Sequence, residues 1–416
     1  MSDAHTNEFD VVIAGAGMVG ASLACLLAES ELRIALIDRN PLVRGNEGDS
    51  TDGTSEKFDP RVSAISRASQ QLFRQLGVWE DMVNERVCNY SAMEVWDAEG
   101  TGSIDFSAAE VNESELGSIV ENSIILAALH KRIAQLENVF PITPFSIESF
   151  ENIEREEGSI VKLNADDGQS IRAPLVIAAD GANSKLRQLA EFKCREWDYE
   201  QHALVTTVRT QLPHNNTALQ RFMETGPLAF LPLRSALEND AQNFCSIVWS
   251  MLPSQAERAM SLSDDEFNSE LAVALESRLG AIEWSDRRFI FPLRQRHALD
   301  YVKKGIVLVG DAAHTIHPLA GQGVNLGLLD AKALAEELQR GLGAGRSVAD
   351  LTVLLRYQRR RKGNNLSMMW LMEGFKRLFA QQDLGIRWLR NIGMNAADKM
   401  TPIKNQMIRK AMGLDS

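Results

Sequence analysis

The sequence predicts an α/β protein: a Rossmann-like nucleotide-binding domain with a parallel sheet, an inserted β-sheet domain and a helical C-terminal region. Three observations predict it. The chain opens with a β-α-β pattern around a glycine-rich turn, becomes alternating and β-rich between residues 199 and 250, and has helical periodicity after Leu351. We expect residues 1–198 and 297–350 to form the nucleotide-binding domain, residues 199–296 the β-rich domain and residues 351–416 the helical region.

The first unit has a strand over Phe9–Ala14, a turn over Gly15–Gly20, a helix over Ala21–Ser30 and a strand over Arg33–Asp38. The uncharged run Val11–Ala28 approaches the length of a membrane span or signal peptide. Acidic residues precede it, where a signal peptide carries positive charge. We therefore expect a buried strand and helix, and no transmembrane segment.

Similar patterns predict the later elements. We expect helices over Ser66–Leu76, Asn122–Leu136, Glu266–Leu279 and Gly321–Leu342. We expect strands over Val161–Asn164, Ser170–Ala179, His202–Thr210, Leu219–Glu224, Phe244–Ser250 and Gly305–Gly310.

The composition limits the class of protein. A chain of 416 residues with 44% hydrophobic residues can bury a sizeable core, in roughly two or three domains. A net charge of −12 argues against nucleic-acid binding. The four cysteines form no C-x-x-C pair, which favours free thiols in a reducing cytoplasm over disulfides or zinc. We expect a cytoplasmic protein.

The first motif that carries chemistry is the G-x-G-x-x-G turn of Gly15, Gly17 and Gly20. Its glycines permit a tight turn, close approach of a pyrophosphate, and close packing of helix on strand. Asp38 ends the next strand, where a carboxylate accepts hydrogen bonds from a ribose. The motif predicts a bound dinucleotide and leaves FAD and NAD equally open.

Two further motifs place acidic residues after buried strands. Asp180 and Gly181 end one strand and precede a short helix that contains Arg187. Gly310 and Asp311 end another, and a glycine-rich turn then opens a long helix. The Gly310-Asp311 motif thus gives the same ligand a second, distant carboxylate and a second helix N-terminus.

These three motifs, in this order, resemble the class A flavoprotein aromatic hydroxylases, which have the para-hydroxybenzoate hydroxylase fold. The resemblance covers nearly the whole chain. Within that family the string GDAAHTIHPLAGQGVNLG at Gly310–Gly327, RVSAI at Arg61–Ile65 and VEN at Val120–Asn122 are similar to the ubiquinone-biosynthesis hydroxylases. The segments QHALVTTVRT, AFLPL, CSIVWS and IRKAMGL most resemble the 2-polyprenylphenol 6-hydroxylases, which hydroxylate ring carbon 5.

The resemblance implies FAD as the cofactor and assigns roles to matching positions. The three glycines hold its pyrophosphate, Asp38 its adenosine ribose, and Asp311 its ribityl or pyrophosphate side. Arg61 is expected near the flavin ring and Asn122 near the ribityl chain, while Asp180, Gly181 and Arg187 serve both FAD and NADPH. The residues expected along the isoalloxazine are Pro318, Gly321, Gln322, Gly323 and Asn325.

The resemblance also implies the reaction. NADPH or NADH reduces FAD, O2 adds to give a flavin C4a-hydroperoxide, and an electron-rich phenol takes up its distal oxygen. The cofactor carries this chemistry, so we expect no catalytic nucleophile and no metal. The sequence does not identify a base that deprotonates the phenol. His314 and His317 form an H-x-x-H pair, but without a third ligand we favour a flavin-contacting or structural role.

Candidate substrate-pocket residues lie in the β-rich insertion, which covers the flavin ring in this fold. They are Phe222, Phe230, Pro232 and Trp249. Ordinary sheet core is the alternative for each of them.

The C-terminal region is basic, with 13 Lys and Arg against 4 Asp and Glu from Leu351 onward. Apolar residues at helical spacing lie between these charges, from Met368 to Phe379. Such a helix either contacts an anionic membrane surface or packs on another helix or subunit. We expect a homo-oligomer, other ubiquinone-biosynthesis proteins as partners, and, under the first alternative, a peripheral contact with the inner membrane.

Three functions remain open from the sequence. The first is ring hydroxylation of a polyprenylphenol in ubiquinone biosynthesis, at ring carbon 5 or another position. The second is a class A monooxygenase of a soluble aromatic compound. The third is a catalytically idle flavoprotein in a biosynthetic complex, against which the intact motifs argue.

Overall fold

A computed structural model describes residues 7–43, 57–98, 100–155, 158–235, 242–315, 323–380, 398 and 400–413 of the chain. Among these residues, no helix combines the length and the apolar character that a bilayer crossing requires. The predicted site residues Pro318, Gly321 and Gln322 lie outside the described residues, as does His317.

The described strands run in chain order as follows: β1 Val11–Ala14, β2 Ile34–Ile37, β3 Val62–Ser66, β4 Val87–Tyr90, β5 Ala92–Asp97, β6 Ser103–Ser107, β7 Gly117–Glu121, β8 Val139–Ile142, β9 Ile147–Arg155, β10 Gly158–Ala165, β11 Ser170–Ala173, β12 Leu175–Ala178, β13 Cys194–Thr210, β14 Thr217–Met223, β15 Gly226–Leu233, β16 Phe244–Met251, β17 Ile282–Ser285, β18 Phe289–Ala298, β19 Val302–Lys303, β20 Ile306–Leu308 and β21 His314–Thr315.

The described α-helices are α1 Met18–Leu27, α2 Arg67–Gln75, α3 Trp79–Glu85, α4 Asn122–Ile133, α5 Lys185–Leu189, α6 Pro253–Ser261, α7 Asp264–Ala274, α8 Gly323–Gly343, α9 Leu351–Ala380 and α10 Thr401–Ala411. Short 3-10 turns span Ala108–Val111 and Gly310–Ala312.

A six-stranded sheet carries the nucleotide-binding motifs. Its order is β19-β20-β12-β1-β2-β8, and only β19 runs antiparallel to its neighbour. The central strands are apolar and fully buried, because α1 packs on β1 and β2 while strands of the β11-β10-β9 sheet pack on β1 and β12. Since β1, β12 and β20 lie side by side, the three motifs that follow them meet at one edge of the sheet.

A nine-stranded sheet has the order β21-β18-β13-β16-β15-β14-β5-β6, with β17 also paired to β13. Its two faces pack differently. The helix face, which includes Leu204, Leu219, Phe230 and Ile247, packs on α6 and α7. The inner face, which includes Ala218, Ala229, Leu231 and Phe244, packs on β3 and β7. Two three-stranded sheets, β3-β7-β4 and β11-β10-β9, complete the described strands.

The predicted fold class is confirmed: an α/β domain with a parallel sheet, a large β-sheet and C-terminal helices. The nine-stranded sheet also includes β5 and β6, which lie upstream of residue 199. The division into four segments stays a prediction.

Some predicted boundaries differ from the structure. Ser170–Ala179 forms two strands in two sheets, because Pro174 lacks the N–H that a continuous ladder needs. The helix predicted over Glu266–Leu279 ends at Ala274, since Glu276 and Ser277 adopt positive φ angles that a helix cannot contain.

Candidate functional site

The glycine turn follows β1 and is too tightly packed for side chains at two of its positions. Gly15 has φ +107°, and a Cβ there lies 2.3 Å from the Ala179 carbonyl oxygen. A Cβ at Gly20 lies 1.9 Å from the Gly15 carbonyl oxygen. Gly17, which precedes α1, has no neighbour among the described residues within 4 Å of such a Cβ. In this part of the chain the N-terminus of α1 therefore faces open space, as a bound phosphate requires.

Asp38 follows β2 and lies beside this turn. Its Oδ2 accepts a hydrogen bond of 2.8 Å from the Ala16 N–H, and its Oδ1 accepts one of 2.8 Å from Asn40. Each carboxylate oxygen has a further lone pair, so Asp38 can hold the turn and still accept a ribose hydroxyl.

His130, on α4, was not predicted as a site residue. Its buried ring lies 2.7 Å from the Ala16 carbonyl oxygen through Nε2, while its Nδ1 accepts a 3.0 Å hydrogen bond from the Val43 N–H. The proton must therefore reside on Nε2. His130 fixes the turn and the chain after Asp38 together, and a separation of more than a hundred residues gave no local signal for this contact.

The second motif follows β12 and caps α5. The Asp180 Oδ2 accepts hydrogen bonds from the Lys185 and Leu186 N–H groups at 2.8 and 3.2 Å. Its Oδ1 is buried without a partner among the described residues, and burial raises the pKa of this carboxyl. A carboxylate oxygen in this state is suited to accept a hydrogen bond from a ligand.

Arg187 links the second motif to the third. Its buried guanidinium donates to the carbonyl oxygens of Ala182, at 2.8 Å, and Ala312, at 3.0 Å. The structure thus brings the predicted residues Asp180, Gly181 and Arg187 together, with the Arg187 side chain bonded to backbone. Its contact with a cofactor stays a prediction.

The third motif follows β20. The Asp311 side chain is exposed to solvent, yet enough protein surrounds its carboxyl for desolvation to raise its pKa. The Val19 side chain lies against Gly310 and Gly327, 2.6 Å from a Cβ built at Gly327. α1 and α8 therefore approach closely, and the first and third motifs form one recess.

A buried carboxylate, Asp330 on α8, holds the third motif in place. It accepts hydrogen bonds from the Gly310 N–H at 3.2 Å, Arg361 Nε at 2.7 Å, Asn365 Nδ2 at 3.1 Å and His314 Nε2. Burial raises the Asp330 pKa, but His314 and Arg361 outweigh it and bring the pKa down to about 2. His314 therefore has a structural partner. Among the described residues, no cluster of His, Cys, Asp and Glu suits a metal ion.

Three more predicted residues lie around β3. The Asn122 N–H donates to the Arg61 carbonyl oxygen at 3.0 Å. The Asn325 amide donates to the Ala64 carbonyl oxygen at 2.7 Å and accepts from the Ser66 N–H at 3.0 Å. The start of α4 and the start of α8, which begins at Gly323, thus lie beside one strand.

These residues fit FAD. Gly15, Gly17 and Gly20 offer an open helix N-terminus to a pyrophosphate, and Asp38 and Asp311 offer carboxylates to hydroxyl groups. When bound, the flavin supplies the redox and oxygen chemistry, and the chain supplies binding and orientation.

The candidate pocket residues lie on different faces of the large sheet. Phe230 and Trp249 are on the helix face, where both pack with the core beside α6 and α7. Pro232 shares that face, because it is two residues from Phe230 on β15. This placement favours ordinary sheet core for the three. Phe222, two residues from Gln220 and four from Ala218, is on the inner face.

Comparison with known proteins agrees with this site. The FAD binding domain family matches residues 8–367. The Escherichia coli (strain K12) 3-demethoxyubiquinol 3-hydroxylase is 36% identical over 97% of this chain and 98% of its own length. The mitochondrial ubiquinone biosynthesis monooxygenase COQ6 of Danio rerio is 31% identical over 98% of this chain and 90% of its own length.

The chain belongs to this family of FAD-dependent monooxygenases. It is an enzyme, and FAD is its cofactor. This decides between the FAD and NAD alternatives that the glycine turn alone left open.

Solved structures of the same fold are more distant in sequence. Pseudomonas aeruginosa PqsL, in complex with 2-aminobenzoylacetate, has a TM-score of 0.74 at 20% identity, with 94% of this chain and 100% of that chain covered. p-Nitrophenol 4-monooxygenase PnpA from Pseudomonas putida DLL-E4 has a TM-score of 0.74 at 17% identity, with 98% and 99% covered. These similarities confirm the predicted fold.

Proposed function

We propose that this monooxygenase hydroxylates the aromatic ring of a polyprenylphenol in ubiquinone biosynthesis, at ring carbon 5, with NADPH or NADH and O2 as co-substrates. The observation that carries the pathway is similarity over nearly the whole length to two enzymes named for ubiquinone or its precursor, one of them 36% identical. Ring carbon 5 is proposed from the segments that resemble the 2-polyprenylphenol 6-hydroxylases. An intact FAD recess, with Asp38 and Asp311 free to accept further hydrogen bonds, supports the proposed monooxygenase reaction.

The ring position has a second candidate. The Escherichia coli relative is named a 3-hydroxylase of 3-demethoxyubiquinol. That name supports hydroxylation of a demethoxyubiquinol as the second candidate.

The test is quinone-intermediate profiling of a strain that lacks the gene. Loss of ubiquinone with accumulation of a polyprenylphenol supports hydroxylation at carbon 5, whereas accumulated demethoxyubiquinone supports the second candidate. Unchanged ubiquinone rejects the pathway. The purified protein should also be yellow and should form a product that is one oxygen atom heavier than the phenol.

The partner proteins, the homo-oligomer and the membrane contact are also proposals. In the described part of the C-terminal region, several basic residues form ion pairs with acidic residues that precede this region in the chain. The pairs are Arg360 with Glu336, Arg361 with Asp330, Lys362 with Asp300 and Lys404 with Glu110. These ion pairs support packing of the C-terminal region on the rest of the protein, rather than a helix that contacts only the membrane.

A further inference from the structure

One row of side chains across the inner face of the large sheet places the polar Gln220 beside aliphatic residues. Gln220 on β14 lies opposite Ala229, which is followed across the sheet by Val248 and Val205. Gln220 is 5% exposed, and its Oε1 is buried with no hydrogen-bond donor among the described residues. A buried carbonyl oxygen without a donor destabilises a protein, so its presence in this row needs an explanation.

The direction of the Gln220 side chain follows from its neighbours on β14. Leu219 belongs to the core of the helix face, and Arg221 donates to the Ala274 carbonyl oxygen of α7. Successive side chains of a strand alternate between faces. Gln220 therefore projects from the inner face, as Ala218 does.

The inner face leads to the start of α8. Ala229 and Leu231 share a cluster with Ala64 of β3. The carbonyl oxygen of Ala64 accepts the hydrogen bond from Asn325, in the first turn of α8. Sheet, β3 and α8 thus meet beside the third FAD-binding motif.

The helix α9 bounds the same region from another side. Met369 packs on Leu326, the residue after Asn325. α9 also lies against β14, whose two edges are paired with β5 and β15 and whose helix face carries α7. The inner face of β14, with Gln220, thus faces a region that α9 and the start of α8 border.

We infer that Gln220 binds the substrate, its Oε1 accepting the hydrogen bond of the ring hydroxyl. This inference rests on the proposed function, because it assumes a phenol or quinol in this region. A phenolic O–H is a donor that the unpaired oxygen lacks, and the aliphatic row of Ala229, Val248 and Val205 suits the ring and its apolar substituents. Gln220 thereby favours a substrate whose ring hydroxyl is free over one in which the same hydroxyl is a methyl ether.

The test compares the wild type with Gln220→Met, which keeps the length of the side chain and removes the amide. We expect the KM for a 2-prenylphenol to rise about tenfold, the effect of losing one good hydrogen bond to a ligand. We expect the thermal midpoint to stay unchanged or rise, since the variant removes an unpaired polar atom from the fold. Less product should form per NADPH oxidised.

Binding of the O-methyl ether of the same phenol gives a second readout, followed by the change in flavin absorbance. The wild type should bind the phenol about tenfold more tightly than the ether, and Gln220→Met should bind both alike. The matched control is Asn268→Leu on α7, which also removes a buried amide oxygen that has no partner among the described residues. Its KM should equal that of the wild type.

Two results overturn the inference while the proposed function stands. One is a wild type that hydroxylates the prenylphenol beside a Gln220→Met variant whose KM and phenol preference are unchanged. The other is a fall of several degrees in the thermal midpoint of the variant, which reveals a structural partner for the amide. A wild type that hydroxylates no prenylphenol contradicts the proposed function itself, and the inference with it.

Discussion

Gly17 and Gly20 belong to one motif, but the structure constrains them differently. A Cβ at Gly20 overlaps the Gly15 carbonyl oxygen at 1.9 Å, whereas a Cβ at Gly17 meets no described residue within 4 Å. We therefore expect Gly20→Ala to destabilise the fold by more than about 2 kcal/mol, because backbone must move. Gly17→Ala should fold like the wild type and bind FAD more weakly, because only the ligand meets the added methyl group.

Chemical denaturation of the two apoproteins, with FAD titration, checks this pair. Each variant is the control of the other, since both make the same chemical change. Equal loss of stability in the two variants would show that Gly17 is also needed for packing.

The residue Asp330 links stability to pH. Its pKa is about 2 in the folded protein, below the ordinary value of 3.8. A carboxyl whose pKa falls on folding stabilises the protein above its unfolded pKa and loses that contribution as the pH falls. Asp330→Asn should cost about 3 kcal/mol near pH 7, because it leaves Arg361 buried without a counter-charge. The difference from wild type should shrink between about pH 4 and pH 2.

Urea unfolding at a series of pH values measures this difference. Asp300→Asn is the control, since Asp300 is largely exposed and forms a 3.8 Å ion pair with Lys362, which lies on the same helix as Arg361. A difference in unfolding free energy between wild type and Asp330→Asn that stays constant down to pH 2 would show that the charge of Asp330 does not stabilise the fold.

At the scale of elements, α10 distinguishes packing from membrane contact. Ile408 and Met412 are buried against Ala108 and Leu116. Ile408→Ala should lower the free energy of unfolding by about 2–4 kcal/mol, the usual cost of a cavity in a core. A helix held only by lipid would show no change without membranes. Thermal denaturation of the lipid-free protein decides, with Met400→Ala at an exposed position as the control.

The sequence predicted the elements that form the FAD recess because their signals are local. Apolar runs ending in Gly-Asp or Asp-Gly identify buried strands and the loops that follow them. The faces of the large sheet could not be predicted in this way. Phe230 and Trp249 are apolar whichever face they occupy, and only the packing of α6 and α7 on one side identifies that face.

Hydrogen-bond partners that are distant in the chain could not be predicted from the sequence either. His130 of α4 contacts the backbone of Ala16 in the glycine turn. Asp330 of α8 binds both His314 of β21 and Arg361 of α9. A histidine or an aspartate within a helical pattern has no feature that identifies such a role. Gln220 was missed for a related reason, since an amide in an alternating strand is ordinary until its oxygen is found buried without a donor among the described residues.

At the scale of the whole molecule, the recess joins chain segments that are far apart in sequence. The turn at Gly17, the carboxylate of Asp38 and the loop at Asp311 follow β1, β2 and β20 of one parallel sheet. A ligand that contacts all three binds the folded state alone, since no local part of an unfolded chain reproduces the recess. Cofactor binding should therefore stabilise the whole fold by mass action.

We expect FAD at about 100 times its dissociation constant to stabilise the apoprotein by about 2.7 kcal/mol and to raise its thermal midpoint by several degrees. NAD at the same concentration should raise it far less, because the loops at Asp180 and Asp311 suit a flavin cofactor that extends beyond the first motif. Differential scanning fluorimetry of the apoprotein with each ligand measures both shifts. Equal shifts for the two dinucleotides would mean that only the ADP half is recognised, by Gly15–Gly20 and Asp38, and that the third motif contributes nothing to affinity.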